Sequence, residues 1–215
     1  GVVLLDDASL HQLFGHYKRS HSPPLDLGRC FRGRFWPVAG SAPCIFHVSS
    51  QPQKYHLKVR ISMLQIRAVE AADNKELARL LRSILIEMGV PKVGTAYADT
   101  ALDCMYETYD VNQAEYFVIE EDGTLLGGAG IAPLAKYEGP VCELQKMYIS
   151  ASLRGKGVGQ RLMNTCLEFA KNQGFEQVYI ETMPYMEAAQ KLYKKTGFEY
   201  IDGPMGCTGH SACPV

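Results

Sequence analysis

The most constraining feature of the chain is the segment Arg154-Gly-Lys-Gly-Val-Gly159. It lies between an expected strand that ends near Ile149 and a stretch of helical apolar spacing that begins at Val158. Glycines at 155, 157 and 159 let backbone amides converge without Cβ obstruction, and the first turn of a helix has N–H groups with no helical acceptor. The helix dipole adds positive potential there, and Arg154 and Lys156 add full charges. Such a turn suits a pyrophosphate, although a purely structural glycine turn accounts for the same residues. The spacing is not Gly-x-x-x-x-Gly-Lys-Ser/Thr. A dinucleotide loop, Gly-x-Gly-x-x-Gly, would place its third glycine one residue later and follow the first strand of a parallel unit. Glu176 stands about where a ribose-binding acid falls in that fold, so the dinucleotide reading is weakened and stays open.

The flanking pattern supplies the fold class. Leu64–Val69 alternates as a strand. Asp73-Asn-Lys-Glu76 resembles a capping box, and Leu77, Leu80, Leu81, Ile84, Leu85 and Met88 follow with helical spacing until Gly89 and Pro91. A second helix is expected over about 99–109. Asp122-Gly123 joins two apolar runs, Tyr116–Ile119 and Leu125–Ile131, as a hairpin. A long strand follows over Val141–Ile149, then a helix from Val158 to about Lys171 with Val158, Leu162, Cys166 and Phe169 on one face. Gln177–Thr182 reads as a strand, Glu187–Lys195 as a helix, and Gly197–Ile201 as the start of another strand. This order predicts a mixed α/β domain, an antiparallel meander joined by a helical crossover to a parallel neighbour.

Charge divides the chain. Residues 1–62 carry eight Lys/Arg against three Asp/Glu, while the whole chain has a net charge of -1. The first 62 residues lack a sustained period and are broken by Pro23, Pro24, Gly28, Pro37 and Pro43. They read as a poorly ordered extension or as a non-native one upstream of a start at Met63, the first methionine; the domain proper is expected over 63–215. The basic-aromatic run from Arg29 to Trp36 is a weak sign of a nucleic-acid arm, and overall charge gives no reason to expect nucleic acid as partner. No apolar run approaches the roughly 18 residues of a membrane helix, and Gly1–Leu5 lacks the basic flank of a signal peptide. Seven scattered cysteines read as reduced thiols, consistent with the cytoplasm.

Arg154-x-x-Gly157-x-Gly159 resembles the Arg/Gln-x-x-Gly-x-Gly/Ala acetyl-CoA motif of the GNAT superfamily of N-acetyltransferases. A second segment, Ala189-x-x-Leu192-Tyr193-x-x-x-Gly197-Phe198, is similar to that family's Ala-x-x-Leu-Tyr-x-x-x-Gly-Phe, and the element order agrees over about residues 64–215. The resemblance implies a GNAT-like fold, acetyl-CoA as cosubstrate, and an amine acceptor, either a small molecule or a peptide, on a monomer or homodimer. Two departures stand out. Met186 occupies a position where the family often has Asn, and the chain reaches Val215 soon after a last strand would begin at about Ser211, which suggests a truncated strand and reduced stability.

The same resemblance implies site residues. The strand ending at Ile149 is expected to splay from its neighbour, with Met147, Tyr148 and Ile149 along the pantetheine arm and one of their amides polarising the thioester carbonyl. Arg154, Gly155, Lys156, Gly157, Val158 and Gly159 hold the phosphates. Glu143, six residues before Ile149, is the favoured base, with Glu181 as competitor; a hydrogen-bonded edge carboxylate is the bland alternative for Glu143. Tyr193 is the expected acid for the departing thiolate, against simple packing on a helix face. Cys207-Thr-Gly-His210-Ser-Ala-Cys213 offers only three ligands, and no metal is expected. A non-catalytic acyl-CoA-binding domain would carry the same phosphate loop without turnover.

Overall fold

The computed structural model describes residues 2–6, 8–10, 63–93, 95–183 and 186–207. The core is a seven-stranded mixed sheet. In chain order its strands are β1 (Val2–Leu5), β2 (Leu64–Ala68), β3 (Glu115–Glu121), β4 (Thr124–Pro133), β5 (Val141–Ile149), β6 (Gln177–Glu181) and β7 (Glu199–Tyr200). In space they run β2-β3-β4-β5-β6-β1-β7. Strands β2 to β5 are antiparallel, β5 and β6 are parallel, and β1 is antiparallel to both β6 and β7.

Helices α1 (Asn74–Glu87), α2 (Met105–Tyr109), α3 (Val158–Asn172) and α4 (Glu187–Thr196) flank this sheet. Helix α3 is the crossover between β5 and β6. It buries Val158, Leu162, Met163, Cys166, Leu167 and Ala170, a stripe at helical spacing, against residues of β4, β5 and β6. Helix α1 buries Leu77, Leu81, Ile84 and Leu85, and these three leucines share a second cluster with Val69, Tyr109 and Tyr116.

The hairpin and its turn follow the sequence expectation: Asp122 and Gly123 both have positive φ, 50° and 82°, as a two-residue turn between twisted strands requires. Two local expectations shift. The capping box sits three residues earlier, from Glu70 to Asp73, on a 3-10 turn over Ala71–Asp73. Asp73 makes no side-chain cap for α1 because its carboxylate is taken by Arg67, with Nη1–Oδ2 at 2.7 Å and Nη2–Oδ1 at 2.9 Å. The single helix expected over 99–109 divides into a 3-10 turn at Thr100–Asp103 and the short α2. Asp99 caps the former by accepting from the Ala101 amide, and Cys104 breaks from helical geometry.

The N-terminal segment also departs from the expected extension. Val2–Leu5 pairs residue for residue with Glu181–Val178 and lies between β6 and β7. Val3 and Leu5 pack into the cluster under α3, while Val2 packs on the opposite face with Tyr179. Four consecutive apolar residues are what a strand covered on both faces needs. Residues 11–62 and 208–215, which include the basic-aromatic run and the expected last strand, lie outside the described residues.

Candidate active site

The site begins where β5 leaves β6. Their parallel pairing covers only Val141–Glu143 against Gln177–Tyr179, and no pairing with β6 continues from Leu144 to Ile149. Part of the cause is local. Against β4, Gly128 faces Tyr148 and Gly130 faces Gln145, so Lys146 and Met147 together stand opposite Ala129. This is a β-bulge, with Lys146 at φ 49°. The Tyr116 hydroxyl donates to the Lys146 carbonyl (3.0 Å), and the Lys146 ammonium reaches Asp99 (2.5 Å). The bulge is thus held on its backbone and its side chain.

Two clefts open along the splay. The larger, about 580 Å³, runs over Met147, Tyr148 and Ile149 to the turn of Arg154, Gly155, Gly157 and Gly159, with α4 as its other wall. The smaller, about 110 Å³, lies between the loop after α1 and the ends of β5 and β6; Lys146 and Glu181 are its charged lining. Met147, Tyr148, Met186 and Tyr193 line both clefts and therefore mark their junction.

The glycine turn fits a phosphate-bearing group. Gly155 (φ 75°) and Gly157 (φ 76°) both lie in the left-handed region, and Gly157 is the N-cap of α3 without a side-chain cap. The first amides of α3 are therefore left to a ligand or water. A Cβ on Gly159 would sit 3.4 Å from Ile149 and Leu192, so the helix start packs closely on the strand end. Gln160 adds a buried Oε1 with no partner among the described residues. Arg154 donates from Nε to the Ile149 carbonyl (3.2 Å) and from Nη1 to Glu87 (2.6 Å). Of the other residues expected here, Lys156 is exposed, and Val158 turns its side chain into the core.

Tyr193 is 5% exposed, with its ring against Phe198, and burial raises its phenol pKa. Glu143 does not line either cleft. It is 4% exposed, and its carboxylate accepts from Gln145 Nε2 at 2.6 Å. Its pKa is pushed up to about 7, chiefly by burial and also by Glu181, against the lowering effects of Gln145 and Lys146. The register puts Glu143 opposite Tyr179, so Glu143, Tyr179 and Glu181 share one sheet face. The Tyr179 hydroxyl donates to Glu181 at 2.9 Å.

The loop after α1 lines the smaller cleft through Val90, Thr95 and Ala96. Tyr109 is a buried packing residue that also hydrogen-bonds Gln145. Cys142 and Cys166 are core thiols whose pKa values burial raises. Most of the Cys207–Cys213 segment lies outside the described residues. The residues that sequence reasoning missed are Gln145, Lys146 and Asp99. Only Gln145 had a signal, because strand alternation puts it on the face of Glu143.

A turn offering converging amides, a cleft along the open edge of β5 and a tyrosine at the junction make a site for an acyl-CoA thioester. Residues 79–198 match the acetyltransferase (GNAT) family. The chain is 40% identical over 151 residues to the uncharacterized N-acetyltransferase YjgM of Escherichia coli, covering 70% of this chain and 90% of that protein. Two solved structures share the fold. One is a GNAT-family acetyltransferase of Staphylococcus aureus (TM-score 0.59, 20% identity, 66% of this chain and 89% of that one). The other is the aminoglycoside acetyltransferase AAC(6')-Iy bound to a bisubstrate analogue (TM-score 0.54, 19% identity, 67% and 96%). The chain belongs to the GNAT acetyltransferase family. It is an N-acetyltransferase, with acetyl-CoA as cosubstrate and an amine as acceptor. None of these likenesses supports the non-catalytic reading.

Proposed function

We propose that acetyl transfer takes place at the junction of the two clefts, with Tyr193 as acid and Glu143 as base. The observation that carries this is the shared lining: Met147, Tyr148, Met186 and Tyr193 border both the cleft that ends at the glycine turn and the one that ends at Glu181. Acetyl-CoA supplies an activated acetyl thioester. The turn from Arg154 to Gly159 holds its phosphates, and the open edge of Met147, Tyr148 and Ile149 takes the pantetheine arm. One of these amides polarises the thioester carbonyl.

An amine arrives as its ammonium and must lose a proton before attack. A carboxylate that titrates near pH 7 is matched to that task at neutral pH, and Glu143, which lines neither cleft, receives the proton through water. Glu181, which lines the smaller cleft, is the second candidate. Burial keeps the Tyr193 phenol protonated, so it can donate to the departing sulfur. The modest volume of the smaller cleft favours a small amine or a single peptide terminus over a folded protein surface. The four described cysteines are free thiols, which favours a cytoplasmic setting.

The test is CoA thiol release from acetyl-CoA across a panel of polyamines, aminoglycosides, amino acids and peptide N-termini. We expect one class to raise release well above the amine-free rate. Tight acetyl-CoA binding with no release across the panel would contradict the proposal.

A further inference from the structure

Two residues from Glu143 along β5, the side-chain amide of Gln145 is bound at both ends. Its Nε2 donates to Glu143 Oε2 at 2.6 Å, and its Oε1 accepts from the Tyr109 hydroxyl at 2.9 Å. The orientation is fixed by chemistry. With the amide reversed, its carbonyl would face the lone pairs of a carboxylate, which offers no proton when ionised. Tyr109 in turn has little freedom. It is 3% exposed, packs 5.2 Å from the Tyr116 ring, and lies against Gly130, where a Cβ would come within 2.5 Å of its ring.

We infer that Gln145 is a positioning residue for this reaction: anchored by Tyr109, its amide holds the Glu143 carboxylate in place and favours its ionised form. This rests on the reading of Glu143 as base. The charged and titratable groups around Glu143 come from three elements besides its own. Lys146 on β5 favours the carboxylate; Glu181 on β6 opposes it, with the Tyr179 hydroxyl bonded to Glu181. Tyr109 comes from α2, and Asp99, from the loop before it, pairs with Lys146 and so tempers the help Lys146 gives. Burial and Glu181 both push toward the neutral acid, and Gln145 supplies the direct hydrogen bond against them. An amide donor has a further use at this position. It carries no charge, so it leaves the site attractive to an ammonium, and it has no proton to lose in the working pH range.

The test is a ¹³C NMR titration of the full chain labelled at glutamate side-chain carboxyls, which needs no acceptor. One resonance is expected to titrate near neutrality and to be missing in Glu143→Gln. In Gln145→Leu its midpoint moves up by about one pH unit, the size of one hydrogen bond to a charged group. In Tyr109→Phe it moves the same way by less, and this variant keeps the ring packing should Gln145→Leu fold poorly. A midpoint unmoved in both variants overturns the inference. Failure of the base reading shows separately, as unchanged CoA release by Glu143→Gln with whichever acceptor is found.

Discussion

A carboxylic acid buried as deeply as Glu143 binds its proton more tightly in the folded protein than in the unfolded chain. Its folded pKa lies near 7, above the ordinary 4.5. Between those values the folded state holds a proton that the unfolded state has lost, so stability falls as pH rises across that window and stays lowered above it. Glu143→Gln removes the penalty. We predict that at pH 8 it is more stable than the wild type by about 2 kcal/mol in urea melts, with the gap closing near pH 4, while acetyl transfer falls. Equal stability at both pH values would mean that Glu143 titrates normally. The family resemblance singled out Glu143 through its spacing from Ile149, and that distance is fixed along one strand. The bond between Tyr109 and Gln145 was not legible, because the two meet only when a helix 36 positions earlier packs over β5.

Strands β4 and β5 work as a pair, and the glycines of β4 make room for the tyrosines that brace the bulge. Gly130 is covered by the Tyr109 ring, and Gly128 by the Tyr116 ring. Gly130→Ala is predicted to displace Tyr109 and destabilise the fold by about 2 kcal/mol, read as a lowered thermal or urea midpoint. The Glu143 midpoint should rise with it, since the displaced ring carries the hydroxyl that fixes Gln145. A stable variant with an unshifted midpoint would show that Tyr109 has slack. Elements with local causes were legible in the sequence. The Asp122-Gly123 turn, the apolar stripe of α3 and the stop at Gly89 need only neighbouring residues. The bulge at Lys146 was not legible, because it exists only as a mismatch with β4. The capping box moved because Arg67, on another element, claims Asp73. The splay of β5 was anticipated through family resemblance and is now tied to the end of pairing at Glu143.

At the scale of the molecule, the sheet depends on a strand from the far end of the chain. β1 covers the β6 edge from Val178 to Glu181, directly beside Tyr179 and Glu181. Removing residues 1–10 exposes that edge and empties the places of Val2, Val3 and Leu5, each a buried side chain worth about 1.5–3 kcal/mol. We predict a drop in thermal midpoint of more than 10 °C, or aggregation through the bared edge. A midpoint within 2 °C of the full chain would show that β1 adds little. The apolar run at the N-terminus signals a strand covered on both faces, yet nothing in it names a partner. Long-range pairing decides that, and periodicity does not reach so far.

The account rests on the thioester lying where the two clefts meet, beside Tyr193. Tyr193→Phe keeps the ring against Phe198 and removes one hydroxyl, so acetyl-CoA binding and single-turnover transfer to an accepted amine should be measured together on this variant. The predicted result is an acetyl-CoA Kd within about threefold of the wild type and a transfer rate lower by about 10²–10³. Transfer at the wild-type rate with unchanged binding would contradict the placement of the reaction at this junction.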